Sequence, residues 1–293
     1  MSILVSGAGG QLGQELAARA GARRLVGLPR AEWNIADPGA TERVLDAYRP
    51  TLVINAAAYT AVDRAEAAPG PAFAANRDGP GHLARACARR GIALLHLSTC
   101  YVFDGAQRTP YAEGDAPAPL NVYGRSKLEG EAAVRDALPR HLILRVSWVF
   151  GAHGENFVRT LLRRAQAGAP LRVVADQTGT PTHAGDIAQA LLQLADRITA
   201  GEDLPWGLYH YPGGEAVSWH AFAEAIMAEA CRQGLLDHAP SIAPITSAEY
   251  PSAARRPAYS VLDGRRGAGL LGLPPADWRA GLKEVLSTWK QAA

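Results

Sequence analysis

Short, almost uninterrupted hydrophobic runs alternate with amphipathic segments along the first half of the chain. The hydrophobic runs cover residues 3–5, 25–28, 52–54, 93–97 and 142–146. The amphipathic segments between them have helical spacing and cover residues 11–20, 40–48, 71–90 and 124–137. Continuous hydrophobicity is typical of strands that are buried on both faces. The alternation therefore predicts an α/β fold with a doubly wound parallel sheet and right-handed crossovers.

The second half of the chain has a less regular pattern. Helical spacing is present at residues 155–168, 184–199 and 278–291. Residues 208–211 resemble one more strand, and Ser218 is a typical N-cap for a helix that runs to Arg232. Residues 237–260 are rich in Pro, Ser and Ala and predict no regular element.

Composition excludes several classes of protein. The chain has 293 residues, of which 48% are hydrophobic and 20% charged, and its formal net charge is +2. This charge balance gives no electrostatic case for binding nucleic acid or a membrane surface. No stretch approaches the roughly 20 apolar residues of a membrane helix, and the first apolar run is too short and uncharged for a secretory signal. The three scattered cysteines suit the reducing cytoplasm. We therefore expect a cytoplasmic protein.

A glycine-rich turn connects the first hydrophobic run to the first helical segment. Gly7, Gly10 and Gly13 allow a tight turn, and their backbone N–H groups can approach a pyrophosphate at the helix N-terminus. With Gln11 and Leu12 they form the predicted cofactor-binding turn of a Rossmann fold.

This turn also suggests how the chain is divided. We expect residues 1–150 to form an NAD(P)-binding Rossmann domain. Residues 151–293 are expected to form mainly a smaller α/β substrate-binding domain, with residues 184–212 returning to the first sheet.

Two further segments bear on the cofactor. The second run is followed by Pro29 and Arg30 with no carboxylate at the strand end, and an arginine there favours the 2′-phosphate of NADPH over NAD. A solvated surface arginine explains Arg30 equally well, so acceptance of NADH stays open. The third run is followed by Ala56, Ala57, Ala58 and Tyr59, whose small side chains leave room for a dinucleotide at the strand end.

Tyr123 and Lys127 are candidate catalytic residues. Four residues apart on a helix, they share one face, and the ammonium is expected to lower the pKa of the phenol. The phenol can then donate a proton to a developing alkoxide while a hydride arrives from a nicotinamide. Thr99 closes the fourth run, where its hydroxyl can hydrogen-bond a substrate carbonyl.

Six segments resemble those of the dTDP-4-dehydrorhamnose reductase family, which belongs to the extended short-chain dehydrogenases/reductases. They are residues 53–63, 98–105, 119–131, 144–150, 176–182 and 254–257. The family reduces the C4 keto group of dTDP-4-dehydro-β-L-rhamnose to give dTDP-L-rhamnose for cell-surface polysaccharide.

The resemblance assigns roles to particular residues. It implies that Thr99, Tyr123 and Lys127 are the catalytic set, and that Tyr101 and Trp148 line the sugar site. Arg256 is expected to meet the diphosphate, with Arg255 as a competitor for that role. Asn34 and Ile35 occupy the position that the extended family often uses to contact the adenine.

Two departures from the family pattern are visible. Cys100 follows the catalytic threonine where the family normally has an aspartate, and a thiol cannot replace the hydrogen bonds of a carboxylate. Cys100 is therefore a substrate-site residue at which activity or sugar preference can differ. The loop at residues 182–185 lacks the glutamate through which some relatives bind magnesium at a dimer contact. We predict no metal and leave a homodimer open.

Other functions are compatible with several of the same motifs. Another nucleotide-sugar reductase or an epimerase would share the glycine turn and the Tyr123–Lys127 pair. A non-catalytic regulatory subunit with the same fold is a third alternative, against which the intact Thr99, Tyr123 and Lys127 argue.

Overall fold

The structure is a computed structural model and describes residues 2–291. Its strands are β1 (Ile3–Ser6), β2 (Leu25–Leu28), β3 (Leu52–Asn55), β4 (Ala93–Thr99), β5 (His141–Val146), β6 (Val149–Phe150), β7 (Leu171–Val174), β8 (Thr178–Gly179), β9 (Thr182–His183), β10 (Gly207–His210), β11 (Val217–Ser218) and β12 (Ile242–Ile245). Its α-helices are α1 (Gln11–Ala18), α2 (Pro38–Tyr48), α3 (Val62–Ala67), α4 (Pro69–Phe73), α5 (Gly79–Arg90), α6 (Val122–Ala137), α7 (Phe157–Gln166), α8 (Ala184–Thr199), α9 (Trp219–Arg232), α10 (Arg265–Leu271) and α11 (Trp278–Gln291).

The main sheet confirms the predicted doubly wound parallel fold. Its strands lie in the order β10-β5-β4-β3-β1-β2, and every pairing is parallel. One hydrophobic cluster covers one face of the sheet with side chains of α1 and α8, and a second covers the other face with side chains of α5 and α6. The five predicted hydrophobic runs all became strands; four of them, β1, β3, β4 and β5, lie inside the sheet with both faces covered, and β2 is its edge strand.

Polar side chains set where several helices begin. Asp37 caps α2 by accepting a hydrogen bond from Gly39 N, with a proline at the first helical position. Asn121, Asn156 and Ser218 cap α6, α7 and α9 in the same way. The cap at Asn121 determines where Tyr123 and Lys127 enter the helix.

The predicted helix over residues 71–90 is interrupted in the structure. A π-helical turn, Ala74–Asp78, separates α4 from α5. There the Asn76 side chain accepts a hydrogen bond from Tyr59 N (2.8 Å) and donates to Tyr59 O (3.0 Å) and Ser126 Oγ (3.0 Å). Gly130 of α6 packs on this turn, and a Cβ at that position would lie 2.0 Å from Asn76 O. The interruption ties the end of β3 to the helix that carries Tyr123.

The second group of elements packs beside the sheet around its own core. Helices α7, α9 and α11 enclose Phe150, Phe222 and Trp278 against β7 and β12. Residues 237–260, for which the sequence predicted no element, contain β12 and a 3₁₀ turn, Ser247–Glu249. Among residues 2–291, no helix combines the length and the hydropathy needed to cross a membrane.

Candidate active site

A cavity of about 940 Å³ lies at the carboxyl ends of the sheet strands, facing the second group of elements. Its sheet side is formed by the glycine-rich turn after β1, Ala56 after β3 and Thr99 at the end of β4. Its opposite side includes Trp219 of α9 and Arg256. Ligands of open α/β sheets bind at this edge, because helix N-termini and loop backbones converge there.

The glycine-rich turn approaches β3 too closely for any side chain. Gly7 has a φ of +74°, and a Cβ added to it would lie 2.6 Å from Ala57 Cα. A Cβ on Gly13 would lie 2.5 Å from Ala8 Cα. Gly10 is the N-cap of α1 and provides no side-chain hydrogen bond there, so the first N–H groups of the helix face the cavity edge. These features fit the pyrophosphate of a dinucleotide.

The other predicted cofactor residues differ in position. Gln11, Leu12, Ala56 and Ala58 line the cavity. Ala57 lies behind them, where its N–H donates to Asn55 Oδ1 (3.1 Å).

The residues predicted to contact the adenosine end lie farther out. Arg30 is exposed just after β2. Asn34 is exposed, and its side-chain oxygen accepts a hydrogen bond from Ala36 N (3.2 Å). Ile35 is only 3% exposed and belongs to the core beside Gly79. Contacts of these residues with a cofactor stay predictions.

Thr99, Tyr123 and Lys127 all line this cavity. Lys127 lies one turn after Tyr123 on α6 and is only 2% exposed. Its Nζ donates to Leu97 O of β4 at 2.5 Å. The ring of Tyr101 contacts that of Tyr123 edge to face, with centroids 5.7 Å apart.

The expected lowering of the Tyr123 pKa is contradicted by the structure. Burial raises the pKa of Tyr123 above its ordinary value, and a hydrogen bond with Thr99 offsets part of that rise. Burial also lowers the pKa of Lys127 to about 8, while the Glu131 carboxylate opposes that change. Desolvation outweighs the attraction between phenolate and ammonium, because the lysine Nζ is directed to a carbonyl of β4.

Trp148 is held in a strained backbone conformation at the cavity wall. Its φ is +44°, in the left-handed region that is rare for a bulky residue. Its indole stacks on that of Trp219, with ring centroids 3.5 Å apart and planes 7° from parallel. Gly179 lies at its edge, where a Cβ would approach Trp148 Cε2 to 2.4 Å. The sequence did not single out Trp219, because its place in an amphipathic helix resembles ordinary packing.

Arg256 reaches the cavity beside Tyr101, held by a partner from α3. Its Nη2 donates to Asp63 Oδ2 at 2.7 Å and its Nη1 to Asp63 Oδ1 at 3.2 Å. The hydrogen bonds from Arg256 lower the pKa of Asp63 to about 2. Burial raises the pKa of Tyr101 to about 12. Asp63 was not predicted as a site residue, since 193 positions separate it from Arg256.

Cys100 lies behind the cavity wall. Its side chain is fully buried in a cluster with Val102, Phe103 and Leu262, and burial raises the pKa of its thiol. The cavity lining includes its neighbours Thr99 and Tyr101 but not Cys100. The prediction that Cys100 contacts the substrate is therefore not supported by this arrangement: the 3₁₀ turn Cys100–Val102 directs the thiol inward.

The structure also bears on metal binding. Among residues 2–291, no group of three or more His, Cys, Asp or Glu side chains is arranged to hold a metal ion. Glu15 of α1 and Glu284 of α11 approach each other, but the Arg19 guanidinium lies between them and forms an ion pair with both. A single guanidinium of the chain itself is therefore paired with both carboxylates.

The fold and the site define an NAD(P)-dependent oxidoreductase of the short-chain dehydrogenase type. A glycine cradle for a dinucleotide and a Thr-Tyr-Lys set lie at two parts of one cavity.

The chain belongs to the family described as RmlD substrate binding domain, which matches residues 1–291. A dTDP-4-dehydrorhamnose reductase of Aggregatibacter actinomycetemcomitans is 44% identical over 286 residues, 97% of each chain. A probable dTDP-4,6-dihydroxy-2-methyloxan-3-one 4-ketoreductase of Streptomyces antibioticus is 41% identical, covering 97% of this chain and 94% of that protein. The crystal structure of dTDP-4-dehydrorhamnose reductase from Bacillus anthracis in complex with NADP has a TM-score of 0.88 and 30% identity, with 100% of both chains covered.

Proposed function

We propose that this enzyme reduces the C4 keto group of dTDP-4-dehydro-β-L-rhamnose with NADPH and releases dTDP-L-rhamnose, the last step in making this sugar donor for cell-surface polysaccharide. The convergence of Thr99, Tyr123 and Lys127 in the cavity that the glycine turn borders carries the proposal. The reductases of the same family, similar over almost the whole chain, support it.

Tyr123 is the proton donor in this proposal. Its high pKa keeps the phenol protonated at neutral pH, so it can give a proton to the oxygen of the reduced carbonyl. The Thr99 hydroxyl orients that oxygen from the end of β4. Reduced nicotinamide, when bound, supplies the hydride.

Lys127 acts through its positive charge in this proposal. Its ammonium, with a pKa of about 8, is largely protonated at neutral pH. The positive charge stabilises the tyrosinate that forms when Tyr123 gives up its proton. A deprotonated Lys127 would withdraw that stabilisation, so we expect activity to fall as pH rises past the pKa of this lysine.

The opposite wall recognises the sugar nucleotide in this proposal. The Trp148 indole offers an apolar surface and one N–H donor to the sugar. The Arg256 guanidinium faces the cavity beside Tyr101 and suits the diphosphate. Residues 151–293 would then form mainly the substrate-binding part, although β10 belongs to the main sheet.

NADPH is the proposed cofactor, with NADH as a weaker substitute. Arg30 is exposed just after β2, and residues 28–30 at this strand end include no carboxylate that would hydrogen-bond the 2′-hydroxyl of NADH. The related structure with bound NADP supports this choice. Since the reaction consumes a cytoplasmic reductant, we place the enzyme in the cytoplasm, and its substrate is a small nucleotide sugar.

A reductase for a different dTDP sugar is the second candidate. The 41% identical Streptomyces relative has a name that describes a 4-ketoreductase of another sugar. Cys100 departs from the family pattern directly after the catalytic threonine, and its buried thiol supports the cavity wall from behind. An epimerase would retain its NAD through the cycle, whereas a reductase must exchange it.

The test is loss of reduced-nicotinamide absorbance when purified enzyme meets dTDP-4-dehydro-β-L-rhamnose, with NADPH and NADH assayed separately. We expect stoichiometric oxidation with both and a higher kcat/KM with NADPH. Tyr123→Phe should bind NADPH and lack turnover. Oxidation of NADPH only with another 4-keto sugar would favour the second candidate, and tightly retained NAD with no net oxidation would favour an epimerase. Cofactor binding without any turnover would indicate the regulatory alternative.

A further inference from the structure

A buried ion pair lies directly beneath the catalytic residues. Glu131 follows Lys127 by one turn on α6, so Tyr123, Lys127 and Glu131 share one helix face. Its carboxylate receives two bonds from Arg145 of β5, from Nε to Oε1 at 2.8 Å and from Nη2 to Oε2 at 2.6 Å. The side chains of this pair are 2% and 3% exposed.

The same carboxylate is bonded to the strand that carries Thr99. Ser98 Oγ donates to Glu131 Oε1 at 2.5 Å, and the preceding residue, Leu97, offers its carbonyl to Lys127 Nζ. Ser98 and Arg145 are register partners on β4 and β5. Glu131 therefore joins three elements: β4, which ends at Thr99, α6, which carries Tyr123, and β5, which leads to Trp148.

Stability alone does not explain this ion pair. Transferring two charges from water to the protein interior costs free energy that a hydrophobic pair of the same volume does not cost. Buried ion pairs are therefore often neutral or unfavourable for folding. The Arg145 guanidinium lies over the Phe103 ring at 5.1 Å and approaches His210 Nε2 at 3.5 Å, with the nearest carboxylate that of Glu131. Its place between β4, α6 and β5 points instead to a role in the geometry of the active site.

We propose that Glu131, fixed by Arg145 and Ser98, is a positioning residue for the reduction: through Ser98 it holds β4, with Thr99 and the Leu97 carbonyl that binds Lys127, in register with α6, and it places a negative charge one helical turn from Lys127. This inference rests on the proposed function for the roles of Lys127 and Thr99. The charge effect itself does not require any substrate.

The direction in which the Lys127 pKa changes when Glu131 is replaced follows from the groups around Lys127. Tyr123 and Glu131 flank it on α6, His96 faces it from β4, and Arg145 lies beyond Glu131 on β5. Burial holds the pKa of His96 well below its ordinary value, so His96 is neutral, and Glu131 is the group that raises the pKa of Lys127. Replacing Glu131 by glutamine therefore favours the neutral amine.

The chain offers a direct measurement, because its only lysines are Lys127, Lys283 and Lys290. With lysine isotope-labelled at Cε, NMR follows the titration of Lys127, and Lys127→Arg assigns its signal. In Glu131→Gln we expect the Lys127 midpoint to fall by about one pH unit, and the high-pH limb of kcat/KM to move by the same amount. Glu129→Gln changes a half-exposed carboxylate on the same helix that pairs with Arg77; it is the matched control and should move neither.

Glu131→Gln leaves Arg145 buried without its counter-charge and can impair folding. The paired variant Glu131→Leu with Arg145→Met removes both charges and should fold. We expect it to retain NADPH binding and to lose at least tenfold in kcat. An unchanged Lys127 midpoint in folded Glu131→Gln, or wild-type kcat in the paired variant, overturns the proposal. If wild-type enzyme does not reduce the sugar while the midpoint still shifts, the proposed function fails and the charge effect stands.

Discussion

Replacing Trp219 by leucine should weaken substrate binding without slowing the chemical step. The Trp219 indole stacks on Trp148 at 3.5 Å and in turn contacts the Phe157 ring at 4.7 Å. Stacked aromatic pairs contribute about 0.5–1.5 kcal/mol beyond the area that they bury. This stacking energy holds Trp148 in its left-handed conformation. Without the Trp219 indole, Trp148 is no longer fixed in the wall of the sugar site. We expect the KM for the sugar nucleotide to rise about threefold to tenfold, since each 1.4 kcal/mol is a factor of ten.

The assay is steady-state NADPH oxidation with the sugar nucleotide varied at saturating NADPH. Trp206→Leu is the matched control, because Trp206 donates to Asp203 and lies under Arg140, away from the cavity. Its KM should match that of the wild type. A folded Trp219→Leu variant with unchanged KM, or with lower kcat and unchanged KM, would refute the claim that the stack shapes the substrate wall.

Three other predictions concern single residues. Tyr123→Phe should lower kcat by a factor of about 10²–10⁴ with NADPH affinity unchanged, as measured by turnover and fluorescence titration. Arg30→Ala should raise the KM for NADPH about tenfold and leave that for NADH unchanged; equal effects on both would contradict a role with the 2′-phosphate. Asp63, with its pKa lowered to about 2, contributes stability that is present above its ordinary value of 3.8 and is lost as pH falls through about 2. The difference in unfolding free energy between wild type and Asp63→Asn, which is under about 1 kcal/mol because the pair is partly exposed, should therefore shrink below pH 4, and the difference between their Tm values should shrink with it.

The centre of the main sheet was predictable because its inner strands are buried on both faces. In β3, Leu52, Val53 and Ile54 are hydrophobic and buried, and such runs are visible in a single sequence. The short strands of the second group were not predictable. Thr178–Gly179 and Thr182–His183, with two residues each, form only because neighbouring segments align them.

Within the site, local motifs were predictable and distant pairs were not. Tyr123 and Lys127 are four residues apart, which is a helical spacing, and the glycine turn directly follows a strand. Each of these motifs therefore lies within a short stretch of sequence. Glu131 lies at the end of a segment that resembles the family, but only the fold places Arg145 opposite it. The pKa of Tyr123 was predicted in the wrong direction, because burial cannot be inferred from spacing.

The most direct test of the central claim is the transfer of deuterium from labelled NADPH. The enzyme would be incubated with dTDP-4-dehydro-β-L-rhamnose and NADPH that carries deuterium at the transferable position of the nicotinamide, and the product would be analysed by NMR. The account predicts dTDP-L-rhamnose with one deuterium, bonded to C4 of the sugar. Deuterium at another carbon, or a product without deuterium, would contradict it.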